Sequence, residues 1–145
     1  MVAPRLDILP ALYNAITGEA AITGKLGVWN SVPSVHTRRP VPSDATYPLI
    51  AVGPIVARSD EDGINDYRPL VVVDINIYGE QDKDYRDVEE VAERVYGLFH
   101  RNENTISVTN YSVTQIACSG PSPSPVDDES RVGRRITLTV RLQAA

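Results

Sequence analysis

The sequence predicts an α+β fold: a largely antiparallel sheet of four to five strands, with two helices packed on one face. Three observations lead there. Residues 70–78, Leu-Val-Val-Val-Asp-Ile-Asn-Ile-Tyr, are β-branched and aromatic, and their second half alternates apolar with polar. Beyond a Gly79-Glu80-Gln81 turn, the apolar period switches from two to about 3.6 across residues 82–100, which marks a helix. After residue 110 the chain returns to period two, in two runs separated by a Pro/Ser segment.

Each element follows from its residues. Leu6, Leu9, Leu12, Tyr13 and Ile16 share one helical face over residues 4–17. Pro10 inside that pattern is expected to kink or delay the helix, and Gly18 is placed to cap it. Ile22 and Leu26, four apart, suggest one further helical turn, and residues 28–32 read as a short strand. Residues 33–48 carry four prolines and two arginines with little periodicity, so a long surface loop is expected. Residues 49–57 form a strand in which Pro54, lacking an N–H, implies an edge position or a bulge. An acidic loop over 59–66 joins it to the strand at 67–78, making a hairpin with a long tip.

In the helix at 82–100, the stripe Tyr85, Val88, Val91, Ala92, Val95, Leu98 and Phe99 should be buried. Asp82 and Asp84 at its start and His100 and Arg101 at its end complement the macrodipole. Tyr111, Val113, Gln115 and Ala117 should share one face of the next strand, and Ser112, Thr114, Ile116 and Cys118 the other. In the last strand Val132, Arg134, Ile136, Leu138, Val140 and Leu142 alternate with Gly133, Arg135, Thr137, Thr139 and Arg141, so the second face is polar and basic. The Pro/Ser stretch at 120–130 is expected to be extended and mobile.

The 145 residues suit a single domain spanning 1–145, in which roughly 70% of the unfolded surface can be buried. The formal charge of −5 argues against a global binder of nucleic acid or anionic membrane. One cysteine, Cys118, excludes an intrachain disulfide. No apolar run approaches the roughly 20 residues of a membrane-spanning helix, and Arg5 and Asp7 interrupt any signal-peptide core. A soluble protein made in the cytoplasm is expected.

Groups that could carry chemistry are sparse. His36 and His100 have no sequence-adjacent partners for a triad or metal site, and structural roles are expected for both. Asp60, Asp62, Gly63 and Asn65 resemble a calcium loop only superficially. Counting from Asp60, position six is Asn65 rather than glycine and position twelve is Val71 rather than glutamate. Asp74 and Asn76 should lie on the wet face of their strand. Cys118 reads as a small core residue, because no basic neighbour in sequence lowers its pKa. No glycine-rich nucleotide fingerprint occurs. Neither an enzyme nor a cofactor is expected.

The order of these features resembles the tail terminator (tail completion) proteins of long-tailed bacteriophages and phage-like particles. The residues that carry the resemblance are Leu9-Pro10-Ala11-Leu12-Tyr13-Asn14-Ala15-Ile16, the small-residue stretch to Val28-Trp29, and Tyr47-Pro48-Leu49-Ile50-Ala51-Val52-Gly53. They continue with Ile75-Asn76-Ile77-Tyr78-Gly79 before Val88-Glu89-Glu90-Val91-Ala92-Glu93-Arg94-Val95, and an acidic loop leading into Arg134-Arg135-Ile136-Thr137-Leu138-Thr139-Val140. Pro10 and the proline-rich loop at 33–48 depart from the pattern.

The resemblance implies a structural virion protein at the tail–head junction. It would form a hexameric ring that caps the tail tube, ends its polymerisation and meets the head connector or stopper. DNA would pass through the lumen without specific binding, and no membrane is involved. A closing ring needs complementary heterologous faces. The acids Asp60, Glu61, Asp62, Asp66, Glu89, Glu90, Glu93, Asp127 and Asp128, set against Arg131, Arg135 and Arg141, are the candidate interface. The alternatives are another neck component or, from a different class, a small cytoplasmic ligand-binding α/β domain.

Overall fold

The computed structural model describes residues 5–37, 41–60, 67–124 and 130–144. Helices α1 (Leu9–Thr17) and α2 (Ala20–Thr23) open the chain. A two-stranded hairpin follows, β1 (Val28–Trp29) with β2 (Val32–Pro33), then β3 (Val35–His36), β4 (Leu49–Asp60) and β5 (Pro69–Glu80). Helix α3 (Tyr85–Phe99), a 3-10 turn at Glu103–Thr105, β6 (Tyr111–Pro123) and β7 (Arg131–Ala144) complete it. The main sheet has the order β3-β4-β5-β7-β6, antiparallel throughout except for the short β3–β4 pairing. The expected α+β class is what the chain adopts.

Residues of β5 and β7 sort by parity. Val71, Val73, Ile75 and Ile77 of β5, and Val132, Ile136, Leu138, Val140 and Leu142 of β7, point under the helices and are almost fully buried. They meet Leu12 and Ile16 of α1, Ile22 of α2, and Val88, Val91, Ala92, Val95 and Phe99 of α3 in one core.

Several expectations change in detail. Pro10 does not kink α1. The helix starts at Leu9, which puts Pro10 in the first turn, where a missing N–H leaves nothing unsatisfied. Tyr85 is 47% exposed rather than part of the buried stripe, because the helix begins there and the ring lies on its outer flank under the Arg134 guanidinium. The 33–48 segment contributes the strand β3 instead of being loop throughout. The turn at Asn30 and Ser31, both at positive φ, folds residues 28–33 into a tight hairpin rather than one strand.

In β6 the register shifts between Val113 and Gln115. This bulge inserts one residue, so Tyr111 and Ile116, from the two sets expected on opposite faces, are both buried. In β4 the irregularity at Pro54 is a bulge, with register shifts on both sides of Ile55.

The β5-to-α3 junction is held by a reciprocal pair. The Glu80 N–H donates to Asp84 Oδ2 at 2.8 Å, and the Asp84 N–H donates to the Glu80 carbonyl at 2.8 Å. Asp84 is itself buried, and Gly79 lies against it.

Candidate interaction surface

The sheet has one face under the helices and one without them. The second face is ruled by the β5–β7 register: Leu70 opposite Arg141, Val72 opposite Thr139, Asp74 opposite Thr137, Asn76 opposite Arg135 and Glu80 opposite Arg131. Strand β6 extends it with Gln115 beside Arg141, Ala117 beside Thr139 and Ser119 beside Thr137. The result is a flat strip of small and hydroxyl side chains with arginines at Arg135 and Arg141. Asp74 accepts a hydrogen bond from Thr137 Oγ1 at 2.7 Å, which ties the two strands together across this face. Asn76 is not on wet surface as expected. It is 5% exposed, and its Nδ2 donates to the Gly53 carbonyl at 3.4 Å, at the bulge where β4 departs from regular pairing.

The acids of α3 have partners within the chain. Glu89 is bound by Arg134 Nε at 2.6 Å. Glu90 lies 3.0 Å from Lys25 Nζ and 3.6 Å from Arg94, and Lys25 also reaches Asp87 at 3.8 Å. Its hydrogen bond to Lys25 holds the Glu90 carboxyl below the usual carboxylate range. Glu93 is exposed. A shallow hollow of about 540 Å³ on this flank is lined by Tyr85, Arg86, Glu89, Glu90, Glu93 and Arg94.

Arg131 sits over the Tyr47 ring, 4.7 Å from its centroid. Arg135 is half-buried and has no ion-pair partner among the described residues. Arg141 lies between Leu70 and Gln115. Asp60 ends β4, and Glu61, Asp62, Asp66, Asp127 and Asp128 lie outside the described residues. Among the described residues, the candidates fall on two surfaces, Glu89, Glu90 and Glu93 on the flank of α3 and Arg131, Arg135 and Arg141 on the open side of β7. The pairing of Arg134 with Glu89 was missed, although its place in the apolar row of β7 was a usable signal: a cation of that parity must turn under α3 to find an acid.

The two histidines bind within the fold. His36 is buried, with Nε2 hydrogen-bonded to Ser34 Oγ at 2.9 Å and its ring edge-on to Trp29. His100 Nδ1 accepts the Cys118 backbone N–H at 3.0 Å, and its ring stacks on Tyr96. Among the described residues, no three of His, Cys, Asp and Glu are grouped to hold a metal ion. No helix there is long and apolar enough to cross a membrane.

Burial pushes the Cys118 thiol up to about 11. At pH 8 it should carry at least about a hundredfold less thiolate than an ordinary cysteine. Iodoacetamide should therefore label native Cys118 far more slowly than the urea-unfolded chain; equal rates would show that the thiol is not shielded.

No protein-family model and no curated protein matches the chain. Solved structures do. One chain from the structure titled "Virion of native gene transfer agent (GTA) particle" superposes with a TM-score of 0.71 at 14% sequence identity, covering 94% of this chain and 93% of that one. At that identity the likeness is one of fold.

Proposed function

We propose that this chain is a structural virion protein of a phage-like particle, forming a closed hexameric ring at the tail–head junction. The ring caps the tail tube, ends its polymerisation and presents its other side to the head connector. The observation that carries this reading is the end-to-end fold likeness to a chain of a gene transfer agent virion, with both chains covered almost completely. The resemblance of element order to tail terminator proteins points the same way. The reading asks for interaction surfaces and no catalytic group. DNA passes through the lumen without specific binding, consistent with a chain whose formal charge is −5.

The test is particle production with and without the chain. Loss should give tube polymers longer than normal and unjoined to heads, and light scattering on the purified protein should give a mass of six copies. Tails of normal length that merely fail to join heads would assign the chain to a connector or stopper instead. Normal particles in its absence would end the proposal.

A further inference from the structure

Strand β6 lies at one edge of the main sheet, and a row of outward N–H and C=O groups on an edge is a template for pairing with another chain. Two features spoil that template at its ends. The register shift between Val113 and Gln115 breaks the ladder on one side. On the other, Pro121 and Pro123 have no N–H to offer a neighbour. Between them β6 pairs regularly with β7 from Gln115 to Ser119, and that stretch is covered by the end of α3.

The Arg101 N–H donates to the Ile116 carbonyl at 2.9 Å, and the Cys118 N–H donates to His100 Nδ1 at 3.0 Å. In a parallel ladder, a residue gives its N–H to the carbonyl before the facing residue and accepts the N–H of the residue after it. Here the facing residue is Ala117 and Arg101 gives the N–H, but the imidazole stands in for the Arg101 carbonyl as acceptor. Arg101 has φ 56°, a left-handed conformation that no strand continues through, so the imitation of a strand is confined to one bridge. The His100 ring is held over the edge by stacking on Tyr96, with centroids 4.8 Å apart. Nδ1 can accept only in the neutral ring, with the proton on Nε2; a protonated ring has two N–H donors and no acceptor. Protonation therefore sets N–H against N–H at Cys118. The titratable groups beside the ring are Tyr96 from α3 and the Cys118 thiol from β6, and Arg101 and Glu103 are the charged residues that follow it in the chain. Burial pushes the thiol up to about 11, so it stays neutral where imidazoles ordinarily titrate, about pH 6–7. The carbonyl end of α3 is a favourable place for a cation, which gives a released imidazolium somewhere to go.

We infer that His100 is a proton-operated clamp: the neutral ring completes the single bridge that closes the β6 edge, and the protonated ring opens it. The clamp needs only the fold of one chain and stands apart from the ring reading.

The test is amide exchange of the purified protein, followed residue by residue by NMR. The reference is Ala117, whose N–H alternation points at β7. Taking the ratio of the Cys118 rate to the Ala117 rate cancels the intrinsic effect of pH on exchange. In the parent this ratio should rise at least about tenfold between about pH 8 and about pH 5, either side of the ordinary imidazole range. His100→Asn, whose Oδ1 branches from the same carbon and accepts without titrating, should keep the low ratio at both. His100→Leu should show the high ratio at both. A parent ratio that pH does not change overturns the inference, as does a Leu variant as protected as the parent. The parent and the Asn variant decide the matter even where the Leu variant does not fold. Opening should also show in association. At about pH 8 the Leu variant should form concentration-dependent species larger than the parent's in light scattering, with its circular dichroism unchanged. A mass distribution identical to the parent's would show that this contact does not close the edge, which also overturns the clamp.

Discussion

Replacing Gly79 with alanine is expected to lower the stability of the fold by about 3 kcal/mol, near the top of the range for overpacking a core. A Cβ at this position would stand 2.6 Å from Asp84 Cβ and 2.7 Å from Val88 Cγ2. Neither neighbour can yield cheaply. Val88 is fully buried among the core residues of α3, and Asp84 is fixed by its two bonds to the Glu80 backbone. Shifting Asp84 leaves the Glu80 N–H without its acceptor, a loss of about 1–3 kcal/mol if that donor stays buried.

For a chain of this size the change corresponds to a drop in Tm of roughly 6–12 °C. Urea unfolding followed by circular dichroism measures it. Val88→Ala in the same background removes one of the two clashes, so the double variant should lose less than the sum of the singles. A Gly79→Ala protein with an unchanged midpoint, or strictly additive losses, would show that the junction relaxes freely.

That junction was the most legible part of the molecule, because two periodicities meet there and each names its own buried face. Legibility stopped where a single residue breaks the period. The β6 bulge buries both Tyr111 and Ile116, which strict alternation puts on opposite faces, and nothing in Tyr111-Ser112-Val113-Thr114-Gln115 marks an inserted residue. Pro10 was misread for the opposite reason: a proline signals a break only inside a helix, and the sequence did not reveal that Leu9 is where this one begins. Asn76 looked like surface because it is polar. It is buried because the β4 bulge leaves a carbonyl at Gly53 that its amide can reach.

The candidate surface was legible as composition and not as pairing. Glu89 and Glu90 were visible as an acidic helix flank. Their cations come from Arg134, 45 positions away, and from Lys25 on the segment after α2, contacts that only the tertiary arrangement decides. An acidic face assigned to a neighbour is thus largely balanced at home. In the sequence, six of the nineteen acids fall within 61–66 and 127–129, outside the described residues. On the basic side, Arg134 is bound by Glu89 and Arg131 lies over Tyr47, while Arg135 and Arg141 stand on the open face of β7, the position proposed to meet an acidic segment of a second copy.

Reversing both charges, Arg135→Glu with Arg141→Glu, should therefore disrupt assembly while sparing the fold. Both side chains project from the face of β7 away from the core, so the unfolding free energy from urea titration should change by no more than about 1 kcal/mol. A single exposed ion pair is worth only about 0–1 kcal/mol. Reversal, however, replaces attraction by repulsion at two positions in every interface of the ring. A loss of about 2 kcal/mol per interface weakens each contact roughly thirtyfold. Light scattering should find the variant as monomers at concentrations where the parent is a ring. Raising the salt should dissociate the parent progressively, since exposed charges are screened beyond about 10 Å at 0.1 M. Adding Glu61→Lys and Asp62→Lys to the reversed chain should restore the ring if that segment is the partner, because the signs again oppose. A reversed chain that assembles like the parent at the same concentration and salt would take this strand face out of the interface. Closure would then have to come from the flank of α3.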